Sequence, residues 1–191
     1  MTKKRVAVLI SGSGSNLQAL IEACATPGFP AEIALVFSNK ADAYGLTRAK
    51  NAGLHTEVLS HKDFDGREAF DAAMGALLKK NDIELICLAG FMRVLSDGFV
   101  KEWSGKMINI HPSLLPKYKG LHTHQRAIEA GDKEAGCTVH WVVAEVDGGE
   151  IIAQARVPVL ENDTPETLAA RVLIEEHKIY PAALRKIAQA L

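Results

Sequence analysis

The sequence carries no excess of charge of either sign. Its 191 residues include 22 Lys and Arg against 23 Asp and Glu, a net charge of −1. That balance offers no electrostatic grip on nucleic acid or on an anionic membrane surface, and there is no basic tail or run of like charges. Long hydrophobic runs are missing too, and nothing approaches the roughly 20 apolar residues of a membrane span. The opening "MTKKRVAVLISGSG" sets basic residues before an apolar stretch, but the stretch breaks into glycine after Ile10, short of the apolar core of a secretory signal. Cysteine is scarce: Cys24, Cys87 and Cys137 make an odd set with no CxxC spacing. This excludes a disulfide framework and points to a reducing compartment, so a cytoplasmic protein is expected. Cys87, inside "LICLAG", reads as a small core residue. Repeats, low-complexity tracts and linkers are also lacking, so residues 1–191 are expected to form one domain, large enough to bury a core unaided.

What is present is an ordinary globular composition, 48% apolar and 24% charged, arranged in alternating runs. "RVAVLI" (5–10), "EIALVF" (32–37), "ELICLAGF" (84–91) and "KMINI" (106–110) are continuous apolar runs of strand length. Continuous apolarity marks strands covered on both faces, as in parallel sheets. Between them, 16–25, 43–53 and 65–82 have helical patterning, and the third is predicted to open with a capping box from Asp65 and Glu68. The order implies a doubly wound, Rossmann-like α/β fold, a mostly parallel twisted sheet with helices on both faces. Residues 137–146 and 149–160 read as two antiparallel strands joined by a tight "DGG" turn. A last helix is predicted from Thr164 as N-cap and Pro165 at its first position, kinked or divided at Pro181.

Two places invite a functional reading. "SGSGSNLQAL" (11–20) follows the first strand and opens the first helix, but Leu17 stands where a dinucleotide fingerprint needs a third glycine, and no Gly-Lys-Ser/Thr follows. Two readings remain: a cradle of backbone N–H groups for one phosphate, with Ser15 and Asn16 assisting, or a plain turn with Ser15 as the helix cap. The second place is "MINIHPSLLPKYKGLHTH" (107–124), where a buried strand ends in Asn109 and His111 before a long loop. In open α/β sheets ligands lie beyond the carboxyl ends of strands, where Gly14, Arg93 of "GFMRVL", Asn109 and His111 would fall together. Asp147, in "EVDGGE", would complete an amide, imidazole and carboxylate set suited to acid–base work and oxyanion stabilisation. Each also has an ordinary reading as a loop or turn residue. His111, His122 and His124 share the loop without a carboxylate or cysteine at ligand spacing, so no metal is expected.

Taken in order, "SGSGSNLQAL", "FSNKADAYGL", "LAGFMRVLS", "NIHPSLLPKYKGLHTH", "VDGGEII" and "EEHKIYP" resemble the glycinamide ribonucleotide formyltransferase family of folate-dependent enzymes, over nearly the whole chain. The resemblance implies a formyltransferase fold with 10-formyltetrahydrofolate as formyl donor. It places the shared Asn–His–Asp set on Asn109, His111 and Asp147, and the substrate phosphate on Gly14, Ser15 and Asn16. It also implies a ribose contact at Glu176. Folate contacts would fall on Arg67, Met92, Arg93, Val94, Leu95, Asn109, Val143, Ala144 and Asp147. Glu150 departs from the family, where several relatives have proline.

The implied partners are small molecules, glycinamide ribonucleotide and folate, with neither nucleic acid nor membrane, in a monomer or homodimer. Attack of the ribonucleotide amine on the formyl carbon would leave an oxyanion, for which a protonated His111 and the Asn109 amide are the expected donors, with Asp147 favouring the charged imidazole and relaying the amine proton. The rival readings are a formylfolate hydrolase, in which water replaces the amine, and an inactive folate- or nucleotide-binding module.

Overall fold

A computed structural model describes residues 2–191. Seven strands form one sheet in the order β3-β2-β1-β4-β5-β6-β7. They are β1 Lys4–Ile10, β2 Ala31–Ser38, β3 Thr56–Val58, β4 Leu85–Leu88, β5 Met107–His111, β6 Glu134–Trp141 and β7 Ile151–Pro158. The first five are parallel; β6 and β7 are antiparallel. The helices are α1 Ser15–Ala25, α2 Tyr44–Asn51, α3 Arg67–Lys80, α4 Asp97–Glu102, α5 Thr123–Glu129 and α6 Pro165–Ala190.

The continuous apolar runs are divided between two cores by the two-residue period of a strand. Val6, Val8, Ile10, Cys87, Ile108 and Ile110 face α1 and α6, where Leu17, Leu20, Tyr180 and Leu184 cover them. Ala7, Leu9, Phe37, Ile86, Leu88 and Met107 face α3 and α4, meeting Phe70, Met74, Leu78, Phe99 and Trp103. A smaller cluster seats α5 on the sheet: Ala127 packs with Cys137, Val157, Leu168 and Val172. The Tyr180 hydroxyl donates to the Leu88 carbonyl at 2.7 Å, tying α6 beneath the end of β4.

Several local expectations are corrected. α3 is capped by Gly66 at φ 105°, with no side-chain bond, so Asp65 and Glu68 do not form a capping box. Ser15 is the first residue of α1 and the cap is Gly14, left-handed at φ 71°. β4 stops at Leu88 rather than running to residue 91. β6 ends at Trp141, so the "DGG" segment lies in a nine-residue connection, 142–150, and not in a tight hairpin turn. α4 and α5 were not anticipated; α5 begins inside the supposed long loop, with left-handed His122 before it. At the last helix Thr164 does cap, in a reciprocal pair with Thr167, and α6 runs through Pro181 undivided.

Candidate active site

The strand β5 positions the first two groups. Asn109 pairs with Leu88 on β4 and with His140 on β6, while His111 pairs with Thr138. Asn109 and His111 are two residues apart and therefore project from one face of the sheet, with Met107. Directly opposed residues of an antiparallel pair share a face, which brings in the imidazole of His140.

Proton positions follow from the partners. His140 Nδ1 lies 2.9 Å from the Trp141 carbonyl, which can only accept, so Nδ1 carries the proton. Nε2 then offers a lone pair to the Asn109 amide, whose Nδ2 donates across 3.3 Å. Burial holds the His140 imidazole below its usual range, opposed by the Trp141 bond and the Asp147 charge, so the ring is neutral near pH 7. His111 Nε2 likewise lies 2.9 Å from the Tyr118 carbonyl and is protonated there. That leaves His111 Nδ1 facing Asp147 Oδ2 at 3.5 Å.

Asp147 arrives from the 142–150 connection in a left-handed conformation, φ 55°, one that aspartate tolerates better than most residues. Its Oδ2 accepts the Gly120 N–H at 2.8 Å, and its Oδ1 lies 3.7 Å from His140 Nε2. The carboxylate is only 8% exposed, between two imidazoles. An amide, two imidazoles and a carboxylate thus converge at the end of β5; the second hydrogen of Asn109 Nδ2 can reach a reacting oxygen, and His111 Nδ1 can donate only in the imidazolium form.

A second group forms around α1. Gly12 O accepts Gly45 N–H at 3.0 Å, and Arg48 Nε donates to Ser13 O at 2.8 Å, so α2 holds the glycine loop in place. The first turn of α1 leaves N–H groups unbonded within the helix, at its positive end. Asn16 Nδ2 donates to Glu176 Oε1 at 3.2 Å. Glu176 is buried, and desolvation pushes its carboxyl up, partly offset by the Asn16 bond. Met92 N–H donates to Ser11 Oγ at 2.8 Å and so joins this loop to the 90–95 segment.

Around these polar groups lie apolar side chains left in solvent, among them Met92, Val94, Leu121, Val143 and Val146. Ala144 is exposed beside Val143, and Leu95 packs on the core that faces α3 and α4. The Arg93 guanidinium sits 4.7 Å over the Phe70 ring, on α3, whose first residue Arg67 is exposed. The structure therefore brings Asn109, His111 and Asp147 together, and separately Gly14, Ser15, Asn16 and Glu176. Arg67 has no direct contact with either group. Among the described residues, no group of three or more His, Cys, Asp or Glu is placed to hold a metal ion.

His140 was missed. Its one signal was an imidazole within the otherwise apolar "CTVHWVV", which becomes meaningful only with the β5–β6 register. The structural roles of Tyr118 and Gly120 were missed as well, because both meet the acid–base groups through the backbone.

A doubly wound sheet that gathers an amide, imidazoles and a carboxylate at its carboxyl edge has the groups for acid–base chemistry at a carbonyl. The chain belongs to the formyl transferase family, whose profile matches residues 4–184. It is 52% identical to the phosphoribosylglycinamide formyltransferase of Haemophilus influenzae over 95% of this chain and 86% of that protein. The crystal structure of the Brucella melitensis phosphoribosylglycinamide formyltransferase superposes with a TM-score of 0.95 at 56% identity, covering 98% of this chain and 96% of that one. The trifunctional purine biosynthetic protein adenosine-3 of Chironomus tentans is 55% identical over 97% of this chain, which spans only 14% of that protein's length.

Proposed function

We propose that this chain, acting as a single domain, transfers the formyl group of 10-formyltetrahydrofolate to the amine of 5'-phosphoribosylglycinamide, a step in purine synthesis. The observation that carries the reading is the convergence of Asn109, His111 and Asp147 at the carboxyl end of β5, bonded as above. Phosphate would rest on Gly14, Ser15 and Asn16, with Glu176 accepting from the ribose hydroxyls. The pterin and its linker would lie along Met92, Arg93, Val94, Leu95, Val143 and Ala144, with Arg67 reaching the far end of the folate.

In the reaction the neutral amine nitrogen bonds to the formyl carbon, and the carbonyl oxygen gains negative charge. Donors must be aimed at that charge rather than at the ground-state carbonyl. Because His111 Nε2–H is committed to Tyr118, donation from Nδ1 requires the imidazolium, whose charge Asp147 balances from 3.5 Å. Asn109 supplies the second donor, turned by His140. As the bond from carbon to the folate nitrogen breaks, the proton lost by the amine is passed by Asp147 to that nitrogen, giving the N-formyl product and tetrahydrofolate.

The test follows folate absorbance with pure protein and 10-formylfolate, before and after adding glycinamide ribonucleotide. Loss of the formyl group only when the ribonucleotide is present is the expected result. Loss at the same rate without it would mean a hydrolase and would leave the glycine loop needing another ligand.

A further inference from the structure

We infer that Asp132 is a positioning residue, holding both His111 and Asp147 in place through Tyr118 and the strap of residues 117–121. It lies beyond the end of α5 and touches neither group. The inference rests on the formyl-transfer reading for its kinetic consequence, though not for its geometry.

One stretch of backbone serves both acid–base groups. The Tyr118 carbonyl accepts from His111 Nε2 at 2.9 Å, and two residues later the Gly120 N–H donates to Asp147 Oδ2 at 2.8 Å. A tilt of this strap would misplace both groups together. Apolar packing holds it on one side only: the Tyr118 ring rests against the cluster of Ala127, Cys137 and Val157, while the same ring lines a cleft of about 580 Å³ with Leu114, Pro116, His124 and Gln154 among others. Its own conformation is unfavourable: Tyr118 is left-handed at φ 56° and so is His122 at φ 57°, a region that bulky side chains adopt only when surroundings impose it.

Polar ties impose it. The Tyr118 hydroxyl donates to Asp132 Oδ2 at 2.6 Å, and Lys117 Nζ reaches Asp132 Oδ1 at 3.1 Å. The bond from Tyr118 is the main reason the Asp132 carboxyl is held below its usual range. From α5, Arg126 donates to the carbonyls of Lys119 and Leu121 at 2.7 and 3.1 Å, and its guanidinium stacks 5.1 Å from the Tyr118 ring. Without the Asp132 bond the Tyr118 ring keeps only its packing and the Arg126 stack, neither of which fixes its hydroxyl end, so the backbone can relax toward negative φ and its carbonyl can swing away from His111.

The experiment compares Asp132→Ala, Tyr118→Phe and their combination with the full-length wild type. An ångström of misplacement can cost about a hundred-fold in rate, so each single change is expected to lower kcat about ten-fold. The KM of both substrates should stay within about two-fold, and the double variant should be no worse than Asp132→Ala alone, which already removes the Tyr118 bond together with that of Lys117. Asp132→Asn, whose amide oxygen still accepts the hydroxyl, should recover most of the rate. The activity-independent readout is the proton NMR signal of His111 Nε2–H: visible in the wild type through the Tyr118 bond, broadened by exchange in Asp132→Ala and Tyr118→Phe. An unchanged signal, wild-type kcat in Tyr118→Phe, or losses that multiply in the double variant would overturn the inference. A wild type inert toward these substrates would remove the formyl-transfer reading instead, and the NMR signal would still decide the strap.

Discussion

The orientation of Asn109 should depend on a single nitrogen of His140, and this can be tested with two substitutions at one position. Asparagine places a polar atom near the old Nδ1 and nothing near Nε2; glutamine can place its amide oxygen near the old Nε2. His140→Asn therefore keeps a donor for the Trp141 carbonyl and strips Asn109 of its acceptor, whereas His140→Gln does the reverse. The bond at stake, 3.3 Å from Asn109 Nδ2, is between neutral groups and worth a net ~0.5–1.5 kcal/mol. At about 1.4 kcal/mol per factor of ten, losing that restraint lets the amide turn away and lowers kcat roughly two- to ten-fold. This is far less than the about hundred- to thousand-fold loss expected when a donor is deleted, as in Asn109→Ala. His140 is only 2% exposed, so either change also costs stability, about 1–3 kcal/mol. Denaturant midpoints are needed so that rates are compared per folded molecule. The assay is steady-state kcat from folate absorbance at saturating substrates, with His140→Gln expected within about two-fold of wild type. Wild-type kcat in His140→Asn, or equal losses in both variants, would refute the argument.

Three further outcomes follow from the same structure. Burial lowers the imidazoles of His124, His140 and His177; below about pH 6.5 the unfolded chain therefore binds more protons than the fold, and stability must drop as pH falls. Thermal midpoints taken from pH 7 to pH 5 should decline, less steeply in His177→Gln, and a flat profile would contradict the burial. Glu176 has the opposite sign: its carboxyl is raised, so as pH climbs from its unfolded value through its folded one, stability is lost. Glu176→Gln should match or exceed the wild-type midpoint at pH 7 with no gain at pH 4, while raising the ribonucleotide KM about ten-fold through loss of charge-assisted bonds; an unchanged KM would remove Glu176 from the ribose. Gly14→Ala should cost about 2–4 kcal/mol in urea unfolding, since Gly14 is left-handed and its Cβ would stand 2.6 Å from the Gly45 Cα; an unaltered midpoint would show that the two backbones can part.

That last case shows where reading the sequence reached a limit. The glycine loop was legible as a turn opening a helix, but not the contact that fixes it: a Cβ on Gly14 would meet the Gly45 backbone of α2, a neighbour 31 residues along the chain. The parallel core was legible because strands covered on both faces write themselves as continuous apolar runs, and β1, β2, β4 and β5 fall within or beside those runs. β3 escaped because three residues, Thr56, Glu57 and Val58, show no period, and its pairing with β2 is a tertiary matter. α5 escaped because nothing in "HTHQRAIEA" outweighs the turn signals before it. Its place is fixed by Ala127 on the β6–β7 surface, and that contact has no local signature.

The position of Asp147 shows most clearly why register had to be seen. β6 runs antiparallel to β5, so that Trp141 opposes Ile108 and Val142 bonds Met107. Continued as a straight strand to residue 146, the chain would carry Asp147 past the wrong end of β5, nine positions from His111, or about 30 Å at roughly 3.3 Å per residue. Instead the ladder breaks after Trp141 and the connection doubles back along the face from which Asn109, His111 and His140 project. From Met107 to His111 is about 13 Å, and the five steps from Val142 to Asp147 can span about 17 Å. A two-residue turn at "DGG" could not make this return; a nine-residue connection can, and left-handed Asp147 sits where it arrives. The glycines belong to this return: a Cβ on Gly149 would collide with the Trp141 carbonyl, and Trp141 N–H bonds Glu150 O as β7 sets out. The turn signal was real, but the sequence could not reveal that the strand before it ends five residues early, and that early end is what sets a carboxylate beside the imidazole.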